Sequence, residues 1–121
     1  MMEKPKTVLV VEDDQNTALA ISLCLEKQGF LVNTAHDGLE ALLLAHKLRP
    51  ELVLLDMVIP KVSGTLVAKA LKEDPRTCQV KIIVISANPN IEGFEGAEHV
   101  LIKPFEPKEL LDAVRTTLNT D

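Results

Sequence analysis

"VLLDMVIPKVSG", residues 53–64, carries an unbroken apolar run onto an acid, Asp56, and continues through Pro60 to Gly64. Asp, Pro and Gly are ordinary turn residues, so a strand running into a turn accounts for the local pattern. A run with no polar alternation suits a strand buried on both faces, as in a parallel sheet covered by helices. The question it raises is why such a strand should carry a carboxylate to its tip.

Working outward, strand and helix signals alternate. "TVLVV" (7–11) is β-rich, and after "EDDQN" a helical face of Ala18, Ile21 and Leu25, with Leu19 and Cys24 beside it, stops at Gly29. "FLVNTA" (30–35) and "DGLEALLLAHKL" (37–48) repeat the unit, closed by Pro50. From Ser63, "SGTLVAKALKED" predicts a third helix with Leu66, Val67, Ala70 and Leu71 on one side, followed by the strand "VKIIVIS" (80–86). "EHVLIK" supplies a fifth strand. "EPKELLDAVRTTL" gives a last helix with Pro107 in its first turn and Leu110, Leu111, Val114 and Leu118 inward. The order βαβαβαβ, an irregular link, then βα predicts an α/β fold, a doubly wound five-stranded parallel sheet. The expectation is one domain over residues 1–121.

Composition sets bounds on function. Hydrophobic residues make up 46% and charged residues 26% of the 121, a globular balance. Thirteen basic against eighteen acidic residues leave a net charge of -5, which argues against direct nucleic-acid binding. Cys24 and Cys78 lack metal-ligand spacing and suit reduced thiols, and with no signal-peptide or membrane-span pattern they predict a cytoplasmic protein.

In a parallel sheet all carboxyl ends lie on one edge, where ligands of doubly wound folds bind. Four of the five expected strands end there in chemistry: Glu12 and Asp13, Asp56, Ser86 and Lys103. Three carboxylates gathered closely either take up protons or share a cation. All-oxygen ligands favour a hard ion, and Mg²⁺, which bridges a few carboxylates to phosphate oxygens, suits the set better than a calcium cage. Lys103 and Ser86 would meet further phosphate oxygens. No phosphate-cradling glycine loop occurs, so the set points to a phosphoryl group taken covalently onto a carboxylate rather than to a bound nucleotide. Each residue also has a structural reading. Glu12 and Asp13 suit a helix N-terminus, Asp14 or Asn16 suits a cap, and Gly64 permits a tight entry into the third helix. His36, His46 and His99 share no metal spacing and receive no role.

"VLVVEDD", "LVLLDMVIPKVSG", "IIVISA" and "LIKPF", in that order, resemble the receiver domain of two-component response regulators over essentially the whole chain. The resemblance implies a flavodoxin-like fold with strand order 2-1-3-4-5, Mg²⁺ dependence, and phosphotransfer from a histidine kinase or histidine phosphotransfer protein, with an unidentified downstream protein. It implies Asp56 as phosphoacceptor, and Glu12, Asp13, Asp56 and the Val58 backbone carbonyl as metal ligands. Ser86 takes the switching hydroxyl position and Lys103, before a cis Pro104, the phosphate-binding lysine. Such a domain is a signalling module whose only catalysis is its own phosphorylation and slow dephosphorylation.

Two features depart from the pattern. The segment 87–97, "ANPNIEGFEGA", is too short and too broken by Pro89, Gly93 and Gly96 for a full helix, so the family's fourth helix is expected to be shortened or missing. Val100 stands where the family carries an aromatic. These departures keep a phosphorylation-independent interaction adaptor in view as an alternative. A haloacid-dehalogenase-type phosphatase is a remote one, since the metal-like pair precedes the candidate nucleophile and no cap domain fits.

Overall fold

The computed structural model describes residues 4–88 and 96–119. Within them the chain runs β1 (Thr7–Val11), α1 (Gln15–Glu26), β2 (Leu31–Ala35), α2 (Gly38–Leu48), β3 (Leu52–Asp56), α3 (Gly64–Glu73), β4 (Lys81–Ser86), β5 (His99–Ile102) and α4 (Pro107–Leu118). The strands form one parallel sheet in the order β2-β1-β3-β4-β5. This is the flavodoxin-like order, and it puts β3, the strand that opened the reading, at the centre.

Period-two alternation divides the core into two layers. Val8 and Val10 of β1 join Leu54, Ile85, Leu25 and Leu110 beneath α1 and α4. Leu9 and Val11 join Leu55, Val84, Ala45 and Leu71 beneath α2 and α3. All five residues of β3 are buried, which is why its sequence shows no polar alternation.

Helix starts follow side-chain chemistry. Asp14 caps α1, accepting from the Asn16 N–H and the Thr17 hydroxyl. Asp37 accepts from the Glu40 N–H at 2.8 Å while Glu40 reaches back to the His36 N–H at 2.9 Å, a reciprocal box that satisfies two otherwise unpaired donors. Ser63 caps α3, which sets its phase: Gly64, Val67, Ala68 and Leu71 are buried. The expected common side is therefore split: Val67 and Leu71 are buried, while Leu66 and Ala70 are exposed. Leu19 on α1 is also exposed.

Of the segment 87–97, residues 89–95 and most of the expected shortened helix lie outside the described residues. Ala87, Asn88 and residues 96–98 are non-helical. Val100 pairs with Val84 and packs on the α3 side of the core.

His46 ties α2 to the end of α3. Its Nδ1 lies 2.8 Å from the Leu42 carbonyl oxygen and its Nε2 2.7 Å from Asp74 Oδ2. Both partners only accept, so a protonated ring donates to both at once. The Leu42 carbonyl and the Asp74 carboxylate hold His46 above the ordinary value of about 6.5, against burial and the nearby Arg76, which also pairs with Asp74. A pKa raised on folding stabilises the folded chain fully below the unfolded value and progressively less as pH rises through the folded value. Denaturant midpoints are thus expected to fall as pH rises above about 6.5, with His46→Gln removing much of that slope. A slope identical in the variant would take His46 out of the linkage.

Candidate functional site

The carboxyl ends of β1, β3, β4 and β5 meet at one edge, and single backbone bonds extend them. The Glu12 N–H donates to the Ala35 carbonyl at 3.0 Å, Met57 to Ile85 at 3.3 Å, and Lys103 to Ser86 at 2.7 Å. These bonds carry the parallel pairing one residue past each strand end. The Lys103–Pro104 bond is cis.

Glu12, Asp56 and Ser86 are buried, while Asp13 is exposed. The other buried polar side chains among the described residues, Ser22 and Thr77, satisfy themselves on the carbonyls of Ala18 and Leu71. Those of Glu12 and Asp56 face a shared cation instead. Lys103 Nζ lies 2.5 Å from Glu12 Oε1 and 2.9 Å from Asp56 Oδ2. The second Asp56 oxygen, Oδ1, accepts from the Val58 N–H at 2.9 Å, and Ser86 Oγ accepts from the Asn88 N–H at 3.0 Å.

Burial pushes the Glu12 carboxyl up, and Lys103 offsets this only in part. For Lys103, burial pulls the ammonium down but the bonds to Glu12 and Asp56 outweigh it, so its pKa is raised and it stays charged. One ammonium between two buried acids neutralises part of a charge cluster that low dielectric would otherwise disfavour.

One carboxylate oxygen each of Glu12, Asp13 and Asp56 falls within 4.8 Å of the others. This oxygen-only set fits a hard divalent cation, since Mg²⁺ takes a few carboxylates and fills its remaining positions with water and phosphate oxygens. Every side chain singled out in the sequence thus comes to one edge, and Asp14 is a cap as expected.

Two neighbours escaped the sequence reading. His36 Nδ1 lies 3.2 Å from the Glu12 carbonyl oxygen, donating to it at the rim of the site. Gly38 lies so close to the loop after β3 that a Cβ there would sit 2.1 Å from the Val62 carbonyl oxygen, and its N–H donates to Pro60 at 3.0 Å. Gly64 is similarly placed: a Cβ there would sit 2.7 Å from Met57 Cα and 2.8 Å from the Asp56 carbonyl oxygen. A glycine three residues past a strand was the only local sign of Gly38's role. Beside Lys103, a groove of about 600 Å³ is lined by Asn16, Thr17, Ala20, Ala87, Pro104 and Phe105, among others.

The family model for the response regulator receiver domain matches residues 8–115. The DNA-binding dual master transcriptional regulator RpaA of Synechocystis is 36% identical over 116 residues, covering 92% of this chain and 48% of RpaA. The chain thus spans about half the length of that relative. Among solved structures, a putative response regulator from Chloroflexus aurantiacus superposes with a TM-score of 0.91 at 36% identity, covering 96% of this chain and 99% of that one. The response regulator TrrA of Thermotoga maritima, solved in complex with Mg²⁺-BeF, superposes with a TM-score of 0.84 at 29% identity, covering 93% and 98%.

Proposed function

Because this chain belongs to the response regulator receiver domain family, we propose that it is a phosphoacceptor switch in which Asp56 takes a phosphoryl group from a histidine kinase or histidine phosphotransfer protein. The observation that carries the reading is Lys103 Nζ bridging Glu12 and Asp56 at the edge where three carboxylates converge. In this reading residues 1–121 are a single receiver domain acting in the cytoplasm.

An Asp56 carboxylate oxygen attacks phosphorus, an oxygen–phosphorus bond forms, and the donor's phosphorus–nitrogen bond breaks as the departing imidazole keeps its proton. The Asp56 oxygen that does not attack retains its partner, the Val58 N–H or Lys103. Lys103 and the Ser86 hydroxyl are placed to donate to phosphoryl oxygens, the lysine as a point charge and the serine as a neutral donor. Glu12, Asp13, Asp56 and the Val58 carbonyl would hold Mg²⁺, which when bound supplies positive charge against the phosphoryl oxygens. The groove between α1 and Pro104–Phe105 opens beside Lys103 and suits the donor's approach. Downstream of Asp56 the partner is a protein, and no direct nucleic-acid contact belongs to this domain.

The test is intact mass after incubation with Mg²⁺ and a small acyl phosphate. One added phosphoryl group, labile to hydroxylamine and absent from Asp56→Asn, is the expected result. No adduct from small donors or from a panel of kinases would favour a phosphorylation-independent adaptor. Mg²⁺ is further expected to raise the melting temperature of the wild type, and Asp13→Ala to weaken that response. Equal Mg²⁺ affinity in Asp13→Ala would remove Asp13 from the ligand set.

A further inference from the structure

The outer faces of the helices differ in kind. Those of α3 and α4 carry Lys69 and Glu73, and Lys108, Glu109 and Asp112. Leu66 on α3 is exposed as well, but the exposed leucines gather on α1, β2 and α2, where Leu19, Leu23, Leu31 and Leu43 are each more than half exposed. Leu31 belongs to the strand at the open sheet edge, and Leu19 lines the groove beside it.

That edge lacks the usual guards against strand pairing. Leu31–Ala35 contains no proline and no charge, and it pairs with β1 residue for residue without a bulge. Its Leu31 N–H donates to the Lys6 carbonyl and its Ala35 carbonyl accepts from Glu12, so residues 31, 33 and 35 turn their backbone groups towards β1. Alternation therefore aims the N–H and C=O groups of Val32 and Thr34 at the free edge. A groove of about 630 Å³ runs along it, lined by Gln15, Leu19 and Ser22 of α1, Val32, Asn33 and Thr34 of β2, and Leu44 of α2, among others.

We infer that a second copy of this chain docks here, β2 against β2, antiparallel about a two-fold axis through Asn33. Under that operation Val32 of one copy faces Thr34 of the other and both exchange backbone bonds, while the two Asn33 residues form the close, non-hydrogen-bonded pair. The flanking helices obey the same operation. On α1 the stripe Gln15, Leu19, Ser22, Glu26, spaced i, i+4, i+7, i+11, runs along the edge. Reversed upon itself it lays Leu19 against Leu23 of the second copy, across the buried Ser22 position, and sets Gln15 beside its Glu26, with no acid facing an acid. On α2 the corresponding stripe is Glu40, Leu44, Lys47, with Leu43 adjacent. Reversal there pairs Leu43 with Leu44 and Glu40 with Lys47. Opposite charges thus meet at both ends of an apolar centre, which selects a second copy over an unrelated partner and lets a chain of net charge -5 self-associate without like-charge contact. The antiparallel arrangement turns the two acidic edges to opposite ends, and both stay open to a donor.

Sedimentation velocity over a concentration series, with Asn33→Cys cross-linking in a Cys24→Ser, Cys78→Ser background, tests this. The expected results are a reversible dimer and rapid disulfide formation through residue 33, because a close antiparallel pair meets the Cα separation a disulfide needs. Lys47→Glu, an exposed change, is expected to weaken the dimer about tenfold. Leu23→Glu should abolish it, with an unchanged circular dichroism spectrum showing that the fold persists. A monomer at every concentration overturns the inference. So does a dimer that fails to cross-link at residue 33 and ignores both Leu23→Glu and Lys47→Glu.

Discussion

Gly38→Ala is expected to destabilise the protein by about 2 kcal/mol, although alanine is the better helix former by about 1 kcal/mol. The sign is decided by the new Cβ, which would lie 2.1 Å from the Val62 carbonyl oxygen and 2.6 Å from Val62 Cβ. The clashing oxygen is backbone and cannot rotate aside. Relief requires α2 and the loop 57–63 to separate, which also strains the bond from the Gly38 N–H to the Pro60 carbonyl. That loop begins at the residue after Asp56 and supplies the Val58 N–H that holds Asp56 Oδ1. Gly38→Ala should therefore lower the melting temperature by roughly 10 °C and slow phosphoryl capture from a small donor. A melting temperature equal to or above the wild type's would show that the loop yields freely and that the close approach has no energetic weight.

The second large effect is expected from Lys103→Met, which keeps the length of the side chain and deletes its charge. Glu12 and Asp56 would then face each other, both buried, without the ammonium that lies within 2.9 Å of each. Removing one partner from a buried ionic cluster costs more than the cluster contributes, because the remaining charges keep their desolvation. A loss of about 2 kcal/mol near neutral pH is expected, below the fully buried range because Lys103 is itself a quarter exposed. Capture of a phosphoryl group, measured by intact mass over time, should fall about a hundredfold, the scale of losing one aimed donor. The companion variant Lys103→Met with Glu12→Gln separates the two roles: stability should largely return, and phosphoryl capture should not. Stability that stays low in the double variant would locate the damage in packing rather than in charge.

The alternation of apolar runs made the parallel sheet legible, because β3 is buried on both faces throughout and β4 from Ile82 onward. The site was legible for a related reason. A parallel sheet gathers strand ends, so Glu12, Asp56 and Lys103 converge whatever the helices between them do. Contacts made by side chains distant in sequence and off the strands left no such trace. His46 and Asp74 meet across 28 positions, and nothing in either helix pattern announces the pairing. Gly38 looks like an ordinary helix-start glycine until the loop it touches is folded beside it. Leu19 of α1 misled in the opposite direction. Hydrophobicity alone does not say which side of a helix is covered when both sides are apolar, and Leu19, read beside the core, lies 58% exposed.

The groove beside Lys103 has an optical consequence. The chain contains no Trp and no Tyr, so it is nearly transparent in the near ultraviolet. Phe105 borders that groove, two residues from Lys103. A Phe105→Trp substitution would install the only indole of the chain at the mouth of the acidic edge, where its emission colour and quenching would respond to charge and solvent in that place alone. Light emitted from that ring would follow arrivals and departures at the edge in real time, against a dark protein background.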